Sequence, residues 1–437
     1  MSKTYIVKGG NPLHGTVEVS GSKNAATKMM VASLLTSEPV RLKNVPRIGE
    51  VDFTVEMLRE LGTQATWDSE ESSFLHLTSP KIDTHKVSEM WSGKNRIPIL
   101  FAAPLLHRLG YAEIPILGGD AIGARPIDFH ISGYKALGAT VEQKENVVIF
   151  KADKLKGASI TLPYPSVMAT ENLLLASVLA EGRTVIKNVA VEPEIINLMD
   201  MLQKMGAMVF HEPGRVFVIE GVKTLSGVEH TIVPDRIEAA SFASAAVATR
   251  GSVLVKGAIQ NDMRTYLNYM KKVNGSFEVK EEGIWFSHVG NLKSTKIETG
   301  VHPGFMTDWQ PPFSILLTQA EGTSVVHETV YEQRFGYLET LKKMEADIQL
   351  FSECLGGSEC RFKERDCLHS ALIKGPTVLK AADVDVPDIR AGFAYVIAAL
   401  VAEGTSRITG AEKMERGYER LVEKLTSLGA DIKVEEK

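Results

Sequence analysis

The chain repeats one pattern six times, and this repetition constrains its fold more than any other feature. In each copy an apolar helix ends in a polar turn that leads into a strand rich in β-branched residues. The copies lie at residues 34–42, 106–114, 179–186, 248–255, 319–326 and 401–408. Their period of roughly 70 residues is longer than that of a solenoid repeat and suits a βαβαββ unit.

A second helix-to-strand junction follows each copy, and it usually carries a glycine. These junctions lie at residues 58–65, 135–141, 204–209, 273–277, 343–348 and 427–432. A glycine there is typical of a left-handed residue that ends a helix. A chain of 437 residues is too long for one ordinary core. The six units therefore predict an α/β protein of two domains with three units each.

The last interval is longer than the others, and its excess falls at residues 351–382. We interpret this segment as an insertion or extended loop, and it holds all three cysteines, Cys354, Cys360 and Cys367, with His369 nearby. Their spacing matches no close-paired zinc pattern, so we expect thiols buried in a loop and no metal. Scarce cysteines and a first stretch without an apolar core indicate reduced thiols in the cytoplasm.

The composition excludes several classes of protein. Hydrophobic residues make up 44% and charged residues 24% of the chain, as in a soluble globular protein. No apolar run approaches the length of about 18 residues that a membrane span needs, so no membrane is expected as a partner. The net charge of −5 gives no reason to expect nucleic acid. Binding of an anion must therefore depend on local clusters of lysine and arginine.

A glycine-rich segment at residues 117–130 has the composition of a loop that carries chemistry. Three glycines within residues 118–123 make a mobile backbone that can approach a ligand closely. Asp120 lies between the glycines, Arg125 follows them, and Pro126 stiffens the exit. The alternative interpretation is a surface turn with chance charges.

A second candidate binding segment opens the apolar helix near the start of the chain. Ser22 suits the N-cap position, which places Lys23 and Asn24 at the helix N-terminus. Backbone N–H groups and the helix dipole favour an anion there. The alternative is a solvated lysine beside an ordinary cap.

Arginines recur at places marked by glycine or proline. They are Arg96, Arg125, Arg334, Arg390 and Arg416. Each alone is typical of a surface arginine. Together they suit a substrate with phosphate and carboxylate groups, since guanidinium pairs with both in a bidentate manner.

Asp308 is the second acid of interest, in a proline-rich polar break before an apolar run. Two acids from distant parts of the chain, Asp120 and Asp308, could serve as general acid and general base. A helix cap explains Asp308 equally well.

These segments together resemble the enolpyruvyl transferases, within them the branch that acts on UDP-N-acetylglucosamine. The resemblance covers nearly the whole chain and is most specific at residues 22–25, 123–126 and 234–238. It implies two similar domains, each of three βαβαββ units around buried helices, an inside-out α/β barrel. One domain would comprise residues 22–233 and carry the catalytic loop. The other would comprise residues 1–21 and 234–437, so that the chain crosses between domains twice.

The resemblance also implies an activity. The family branch transfers the enolpyruvyl group of phosphoenolpyruvate to the 3-hydroxyl of UDP-N-acetylglucosamine and releases phosphate, the committed step of peptidoglycan precursor synthesis. Both substrates are small molecules, and no cofactor or obligate protein partner is implied. The implied substrate-binding residues are Lys23, Asn24, Arg96, Arg125, Pro126, Ile127, Asp128, Phe129, Ser166, Val167, Asp308, Val330, Arg334, Asp388, Arg390 and Arg416.

Within this set the resemblance implies separate roles. Lys23, Asn24, Arg125 and Arg416 would hold phosphoenolpyruvate, with Arg390 at its carboxylate, and Lys23 and Arg416 would also be catalytic. Asp308 would take the proton from the sugar hydroxyl. The acid in the glycine loop would protonate the methylene carbon of phosphoenolpyruvate.

Asp120 is also where the sequence departs from the family, because most members carry cysteine there. An aspartate can transfer the same proton if burial and anionic neighbours raise its pKa from about 3.9 toward neutrality. It cannot be alkylated by the epoxide antibiotic fosfomycin as the cysteine is. The substitution therefore predicts activity that is insensitive to fosfomycin.

Residues 164–168 are a second departure. Ser166 and Val167 match the family's diphosphate-binding turn, but Tyr164 stands where some members have lysine and Met168 where glycine is usual. This leaves open a sister transferase that acts on another uridine nucleotide. The missing cysteine also leaves open a nucleotide-sugar-binding regulator that has lost catalysis.

Overall fold

The computed structural model describes residues 2–69, 72–119, 122–357 and 360–436. These residues form two compact units. The terminal unit comprises residues 2–20, 122–124 and 234–436, and the middle unit comprises the described part of residues 21–119 and 125–233. Residues 122–124 thus group with the terminal unit, whereas the sequence assigned the whole glycine loop to residues 22–233. Within the terminal unit, the carbonyl oxygen of Ile122 accepts a hydrogen bond of 3.1 Å from the amide of Gln333.

Helices form where apolar residues recur at helical spacing, and most end at a turn residue. Within the described ranges they are α1 (Lys23–Ala32), α2 (Gly49–Glu60), α3 (Ala102–Leu109), α4 (Asp128–Ala136), α5 (Val167–Ser177), α6 (Pro193–Lys204), α7 (Arg236–Ala248), α8 (Arg264–Lys272), α9 (Gln310–Thr318), α10 (Gly336–Leu341), α11 (Ile389–Val401) and α12 (Leu421–Ser427). No helix in these ranges combines the length and the apolar character that crossing a bilayer requires.

Short strands rich in β-branched residues alternate with the helices. They are β1 (Lys3–Lys8), β2 (His14–Glu18), β3 (Val40–Lys43), β4 (Gln64–Trp67), β5 (Leu75–Thr78), β6 (Tyr111–Pro115), β7 (Thr140–Gln143), β8 (Val147–Lys151), β9 (Ser159–Thr161), β10 (Arg183–Lys187), β11 (Met208–Glu212), β12 (Val216–Glu220), β13 (Val228–Thr231), β14 (Ser252–Lys256), β15 (Gly275–Val279), β16 (Gly283–His288), β17 (Lys296–Glu298), β18 (Gly322–His327), β19 (Asp347–Phe351), β20 (Ser370–Gly375), β21 (Asp383–Asp385), β22 (Thr405–Thr409) and β23 (Asp431–Glu436).

Among the described residues, five of the six small sheets have four strands and share one pattern of strand pairs. In the sheet of order β11-β12-β10-β9, β9 runs parallel to β10 and the other neighbours are antiparallel. The sheet of order β17-β18-β20-β19 has the same pattern. In both, the chain runs strand, helix, strand, helix, strand, strand. The predicted α/β class and βαβαββ unit are therefore confirmed.

Three sheets are completed by a strand from a distant part of the chain. β13 pairs in parallel with β3, and β2 pairs in parallel with β14. β1 lies between β22 and β23 and is antiparallel to both. The order β6-β8-β7 has three strands, and an isolated parallel bridge between Lys86 and Glu113 stands where the fourth would lie. The six units are thus not simply consecutive copies.

The core of each unit is formed by helices that are mostly buried. In the terminal unit α7, α9 and α11 pack on one another, and their residues are almost all buried. In the middle unit α1, α3 and α5 hold the corresponding place. A helix that is apolar all round is stable only when it is enclosed. Each unit therefore has helices, not strands, at its centre.

The predicted left-handed glycines end four of the second helices. Gly62, Gly138, Gly206 and Gly429 have φ angles between 89° and 102°. At residues 273–277 the left-handed residue is Asn274 (φ 63°), and Gly275 is not left-handed. Gly275 is instead needed for packing, because a Cβ there would lie 2.3 Å from Sδ of Met270. Glu345 (φ 64°) is the left-handed residue of the 343–348 junction.

Candidate active site

The glycine loop is held by close packing at its start. A Cβ on Gly118 would lie 1.7 Å from the carbonyl oxygen of Gly93, so only glycine fits there. Gly119 has a φ of 119°, in the left-handed region that favours glycine. The sequence suggested that these glycines make the backbone mobile. The structure shows instead that close packing and backbone conformation require them. Asp120, the predicted proton donor, lies outside the described residues.

Arg96 and Arg125 lie on either side of Gly119 in the middle unit. The Cβ position of Gly119 is 3.2 Å from Nη1 of Arg125 and 3.3 Å from Cγ of Arg96. Arg125 is half-buried and has a φ of 46°, a left-handed backbone in a residue with a side chain. Such a conformation costs about 1–3 kcal/mol and persists where its surroundings fix it, often at functional sites. The structure therefore brings together two of the predicted arginines.

The residues after Arg125 lead into α4. Pro126 and Asp128 are exposed, whereas Ile127 and Phe129 are half-buried, and Ile127 is the N-cap. They are followed by His130, for which the sequence suggested no role.

His130 is a buried support for this region. Its Nδ1 accepts a hydrogen bond of 2.9 Å from Nδ2 of Asn172, whose Oδ1 accepts one of 2.7 Å from the hydroxyl of Tyr134. Burial, assisted by the nearby charge of Arg96, lowers the pKa of His130 to about 3. The imidazole is therefore neutral at physiological pH and adds no charge beside Arg96.

Lys23 and Asn24 are the first two residues of α1, and both are half-buried. Ser22 is the N-cap residue, as predicted, but its side chain caps no amide. Its hydroxyl is buried and has no hydrogen-bond partner within the described part of the chain. The first amides of a helix have no partner within the helix, so this end of α1 suits an anion.

Ser166 and Val167 lie at the start of α5. Ser166 is the N-cap, and its Oγ accepts a hydrogen bond of 3.4 Å from the amide of Ala169. Val167 is half-buried and is the first residue of the helix. This is a second helix N-terminus in the middle unit with the polarity that phosphate groups favour.

Asp308 lies in the terminal unit, in the short 3-10 turn Thr307–Trp309 that leads into α9. It is not the cap of that helix, since Trp309 holds the N-cap position. Its Oδ1 accepts a hydrogen bond of 2.9 Å from Nη2 of Arg334, and its Oδ2 lies 3.7 Å from Nε of Arg390. Asp308 is therefore a carboxylate held between two guanidinium groups.

Arg334 is buried behind Asp308 and also lies near Asp388. Its Nη1 is 3.5 Å from Oδ1 of Asp388, which caps α11 by accepting from the amides of Arg390 and Ala391. Burial opposes the charged guanidinium, but Asp388 and Asp308 outweigh it and raise the pKa of Arg334. Arg334 thus stays charged and joins the start of α11 to the turn that carries Asp308.

Arg390 has a guanidinium with unused hydrogen-bonding capacity. The residue is 4% exposed, and its Nη1 and Nη2 make no hydrogen bond of normal geometry among the described residues, although Tyr418 is close by. Its guanidinium carbon lies 5.1 Å from the ring centroid of Tyr418. Burial opposes its charge, but Tyr418, Asp235 and Asp308 outweigh that effect and raise its pKa. A buried cation with two unsatisfied donors suits a carboxylate or phosphate ligand.

Arg416 and Val330 are the remaining predicted residues of the terminal unit. Arg416 is half-buried and ends the 3-10 helix Ala411–Arg416, two residues before Tyr418. The amide of Val330 donates a hydrogen bond of 2.7 Å to Oε1 of Glu328.

Sequence reasoning missed Glu328, which organises this part of the terminal unit. Its Oε1 also accepts from the amide of Tyr331, and its Oε2 accepts from Thr307 Oγ1 at 2.9 Å and from Gln310 Nε2 at 2.8 Å. Burial raises its pKa, although these hydrogen bonds and Arg334 oppose the shift. Glu328 thus ties the turn that holds Val330 to the turn that holds Asp308.

A second missed residue is Glu171, in the apolar helix α5. It is fully buried, and neither of its carboxyl oxygens has a hydrogen-bond partner within the described ranges. Burial raises its pKa to about 8, with Lys28 opposing the shift and Glu194 and Glu192 adding to it. A lone glutamate inside an apolar run was the signal in the sequence.

One group of side chains could hold a metal ion. It consists of His327, Cys354, Cys360 and His369, whose ligand atoms all lie within 4.8 Å of one another. The sequence predicted no metal there, because the spacing of the cysteines and His369 matches no close-paired zinc pattern. The fourth member, His327, comes from β18 and lies outside that segment.

Known proteins resemble this chain over nearly its whole length. Residues 7–425 match the family model of EPSP synthase (3-phosphoshikimate 1-carboxyvinyltransferase). The UDP-N-acetylglucosamine 1-carboxyvinyltransferase of Protochlamydia amoebophila is 48% identical, over 98% of this chain and 94% of that protein. The protein of the same name from Chlamydia muridarum is 49% identical, over 98% of each chain.

Solved structures show the same fold. The crystal structure of the enolpyruvyl transferase NikO from Streptomyces tendae has a TM-score of 0.87 and covers 99% of both chains, at 21% identity. At this identity the likeness concerns the fold alone.

Proposed function

This chain belongs to the enolpyruvyl transferase family, and we propose that it transfers the enolpyruvyl group of phosphoenolpyruvate to the 3-hydroxyl of UDP-N-acetylglucosamine. The proposal takes the reaction from the names of its full-length relatives, which are 48% and 49% identical. Phosphate is released, and the product is the first committed precursor of peptidoglycan.

The state of Arg390 carries the proposal. Its Nη1 and Nη2 are buried and make no hydrogen bond of normal geometry among the described residues, and its Nε lies 3.7 Å from Asp308. A buried unsatisfied donor is unfavourable until an acceptor arrives. The carboxylate of phosphoenolpyruvate would supply acceptors in the planar geometry that a guanidinium prefers.

Other residues would bind the phosphate group of phosphoenolpyruvate. Lys23 and Asn24 lie at the N-terminus of α1, where the helix dipole favours an anion. We assign Arg125 and Arg416 to the same substrate. We assign Arg96, residues 125–129 and 166–167, and Val330 to the nucleotide sugar.

The first chemical step would be proton transfer to the methylene carbon of phosphoenolpyruvate. We assign it to Asp120, which must be protonated to act as the acid. Protonation leaves the neighbouring carbon electron-poor, and the assigned guanidinium groups would offset the negative charge of the bound phosphate.

The second step would be attack by the sugar hydroxyl on that carbon. Asp308 would accept the hydroxyl proton as the new carbon–oxygen bond forms. Its two arginine neighbours favour the ionised carboxylate, which is the form that can accept a proton. The resulting tetrahedral intermediate then loses a proton and phosphate to leave the enolpyruvyl ether.

A phosphate-release assay tests this function. Phosphoenolpyruvate with UDP-N-acetylglucosamine should release phosphate and give a product that carries the added enolpyruvyl group by mass spectrometry. UMP and shikimate 3-phosphate should give only background release. Turnover with either of these acceptors instead would assign the chain to a different branch, and no turnover with any acceptor would indicate a binding protein.

A further inference from the structure

Four side chains with metal-ligand chemistry meet at one end of the sheet of β17 to β20. His327 is the last residue of β18, Cys354 and Cys360 lie in the connection between β19 and β20, and His369 ends that connection. One ring nitrogen or sulfur from each lies within 4.8 Å of the others. His327, His369 and Cys360 are buried, and Cys354 is half-buried.

The tautomer of His369 is fixed by its backbone contact. Its Nδ1 lies 2.8 Å from the carbonyl oxygen of Cys367, which can only accept, so Nδ1 carries the hydrogen. The lone pair is therefore on Nε2, and that atom lies 3.4 Å from Sγ of Cys354. A backbone carbonyl that orients a ligating histidine in this way is typical of metal sites.

His327 has one ring nitrogen in a hydrogen bond and the other available for a ligand. Its Nδ1 lies 2.8 Å from Oγ of Ser370, which also accepts from the amide of Leu355. When Nδ1–H donates to Ser370, the lone pair of Nε2 is left available. The side chain of His327 has no exposed surface, and its Nε2 has no hydrogen-bond partner among the described residues.

The backbone around the cysteines is packed directly on this imidazole. A Cβ on Gly356 would lie 2.1 Å from Cδ2 and 2.8 Å from Nε2 of His327. Only glycine at this position lets the connection approach the ring so closely. The close packing fixes Cys354 beside the strand that carries His327.

The donor set selects the ion. Two thiolates and two neutral imidazoles are the ligands of structural Zn²⁺, whereas Mg²⁺ and Ca²⁺ prefer oxygen. Zinc bond lengths of roughly 2.0–2.3 Å place tetrahedral ligand atoms roughly 3.3–3.8 Å apart. The four ligand atoms lie within 4.8 Å of one another, so only small side-chain movements would bring them to bonding distance of one ion.

We propose that His327, Cys354, Cys360 and His369 form a structural Zn²⁺ site. Four protein ligands fill a tetrahedral ion and leave no open position for a substrate, so the role is structural. The ion would fasten the connection of residues 352–369 to the end of β18. This site is independent of the proposed transferase activity.

Metal analysis of the full-length protein tests the site. Protein purified under reducing conditions without chelator, from cells supplied with zinc, should contain about one Zn²⁺ per chain, as a closed site implies. Cys354→Ser and Cys360→Ser should each lose most of it. Cys367→Ser is the matched control and should keep it, because Cys367 contacts His369 only at Nδ1, through its carbonyl oxygen at 2.8 Å and its Sγ at 3.9 Å, whereas Cys354 lies at Nε2.

Wild-type protein alone gives a second test that does not depend on the folding of variants. After removal of zinc by a strong chelator, Co²⁺ should restore absorption bands of tetrahedral cobalt with thiolate ligands. Two of the three thiols should be protected from a thiol reagent by the metal.

Three outcomes would overturn the site. The first is reduced wild-type protein that takes up neither Zn²⁺ nor Co²⁺. The second is equal loss of metal in Cys367→Ser and Cys354→Ser. The third is a Cys354–Cys360 disulfide in protein whose reduced form binds no metal, which would make the cysteines a redox pair.

Discussion

Arg334 donates a hydrogen bond of 2.9 Å from Nη2 to Oδ1 of Asp308, although only 2% of the arginine side chain is exposed. A charged arginine in this position pairs with the aspartate and fixes its direction. Since Arg334 also lies 3.5 Å from Asp388, one side chain aligns Asp308 with the capped start of α11. We therefore interpret Arg334 as a positioning residue, and Asp308 as the group that meets the substrate.

Replacement of Asp308 by asparagine should separate chemistry from folding. The amide oxygen can still accept from Arg334, but the side chain can no longer take a proton. We expect kcat to fall by about 10²- to 10⁴-fold in a protein that still folds at the assay temperature. The thermal unfolding midpoint should also fall, because Asp308 offsets the buried charges of Arg334 and Arg390. Steady-state phosphate release measures kcat, and a thermal melt measures the unfolding midpoint. Wild-type kcat in Asp308→Asn would remove it from the proton-transfer step.

Replacement of Arg390 by lysine should weaken phosphoenolpyruvate binding. Lysine keeps the charge but loses the planar pair of donors, and a charged hydrogen bond contributes about 1.5–3 kcal/mol. We expect KM for phosphoenolpyruvate to rise by about 10- to 100-fold. Arg407→Lys, at a surface ion pair with Glu435 in the same unit, is the control and should behave as wild type. An unchanged KM in Arg390→Lys would contradict the assignment.

Asp120 should determine the response to fosfomycin. We expect wild-type activity to survive stoichiometric fosfomycin, because a carboxylate lacks the thiolate that opens the epoxide. Asp120→Cys should retain measurable activity and become inactivated, with the adduct visible by mass spectrometry. Asp120→Ala should lose at least about 100-fold in turnover, the low end for a general acid. Inactivation of the wild type would contradict this prediction, as would full turnover by Asp120→Ala.

Glu171 should give the stability of the protein a pH dependence of defined sign. Its pKa is raised to about 8 by burial, so the folded protein binds this proton more tightly than the unfolded chain. The stabilisation of the folded protein by this proton is fully present below the pKa that Glu171 has in the unfolded chain. It is lost as the pH rises through about 8. The free energy of unfolding of the wild type should therefore fall with pH relative to that of Glu171→Gln.

Urea denaturation from about pH 5 to about pH 9 measures this difference. Glu212→Gln, at an exposed strand residue, controls for general effects of pH. Parallel curves for the wild type and Glu171→Gln would show that Glu171 does not bind the proton in this range.

Local sequence patterns predicted the helices and the strands that follow them, because each junction carries its own turn chemistry. They could not predict which strands complete a sheet. β1, β2 and β13 each pair with strands far away in the chain. Such pairings depend on the closure of the whole unit, and no local spacing records them.

In the candidate site, too, the sequence could identify single residues but could not predict the contacts between them. Asp308 and Arg334 could be selected from the sequence by their type and neighbours, but their contact could not. His327 had no place in the cysteine pattern, because it reaches the cysteines through the pairing of β18 with β20. Glu328 and Glu171 are visible as charges near apolar runs, yet the polar side chains near them, Thr307 and Gln310 for Glu328 and Lys28 for Glu171, belong to other elements.

The buried guanidinium of Arg390 also makes thermal stability a measure of site occupancy. Two donors that make no hydrogen bond of normal geometry in the described structure carry a desolvation cost that an anionic ligand would reduce. A ligand that binds only the folded chain raises stability in proportion to the logarithm of its concentration above Kd. The melting temperature can therefore rank phosphate- and carboxylate-bearing compounds for binding without any turnover, including compounds that the enzyme cannot convert.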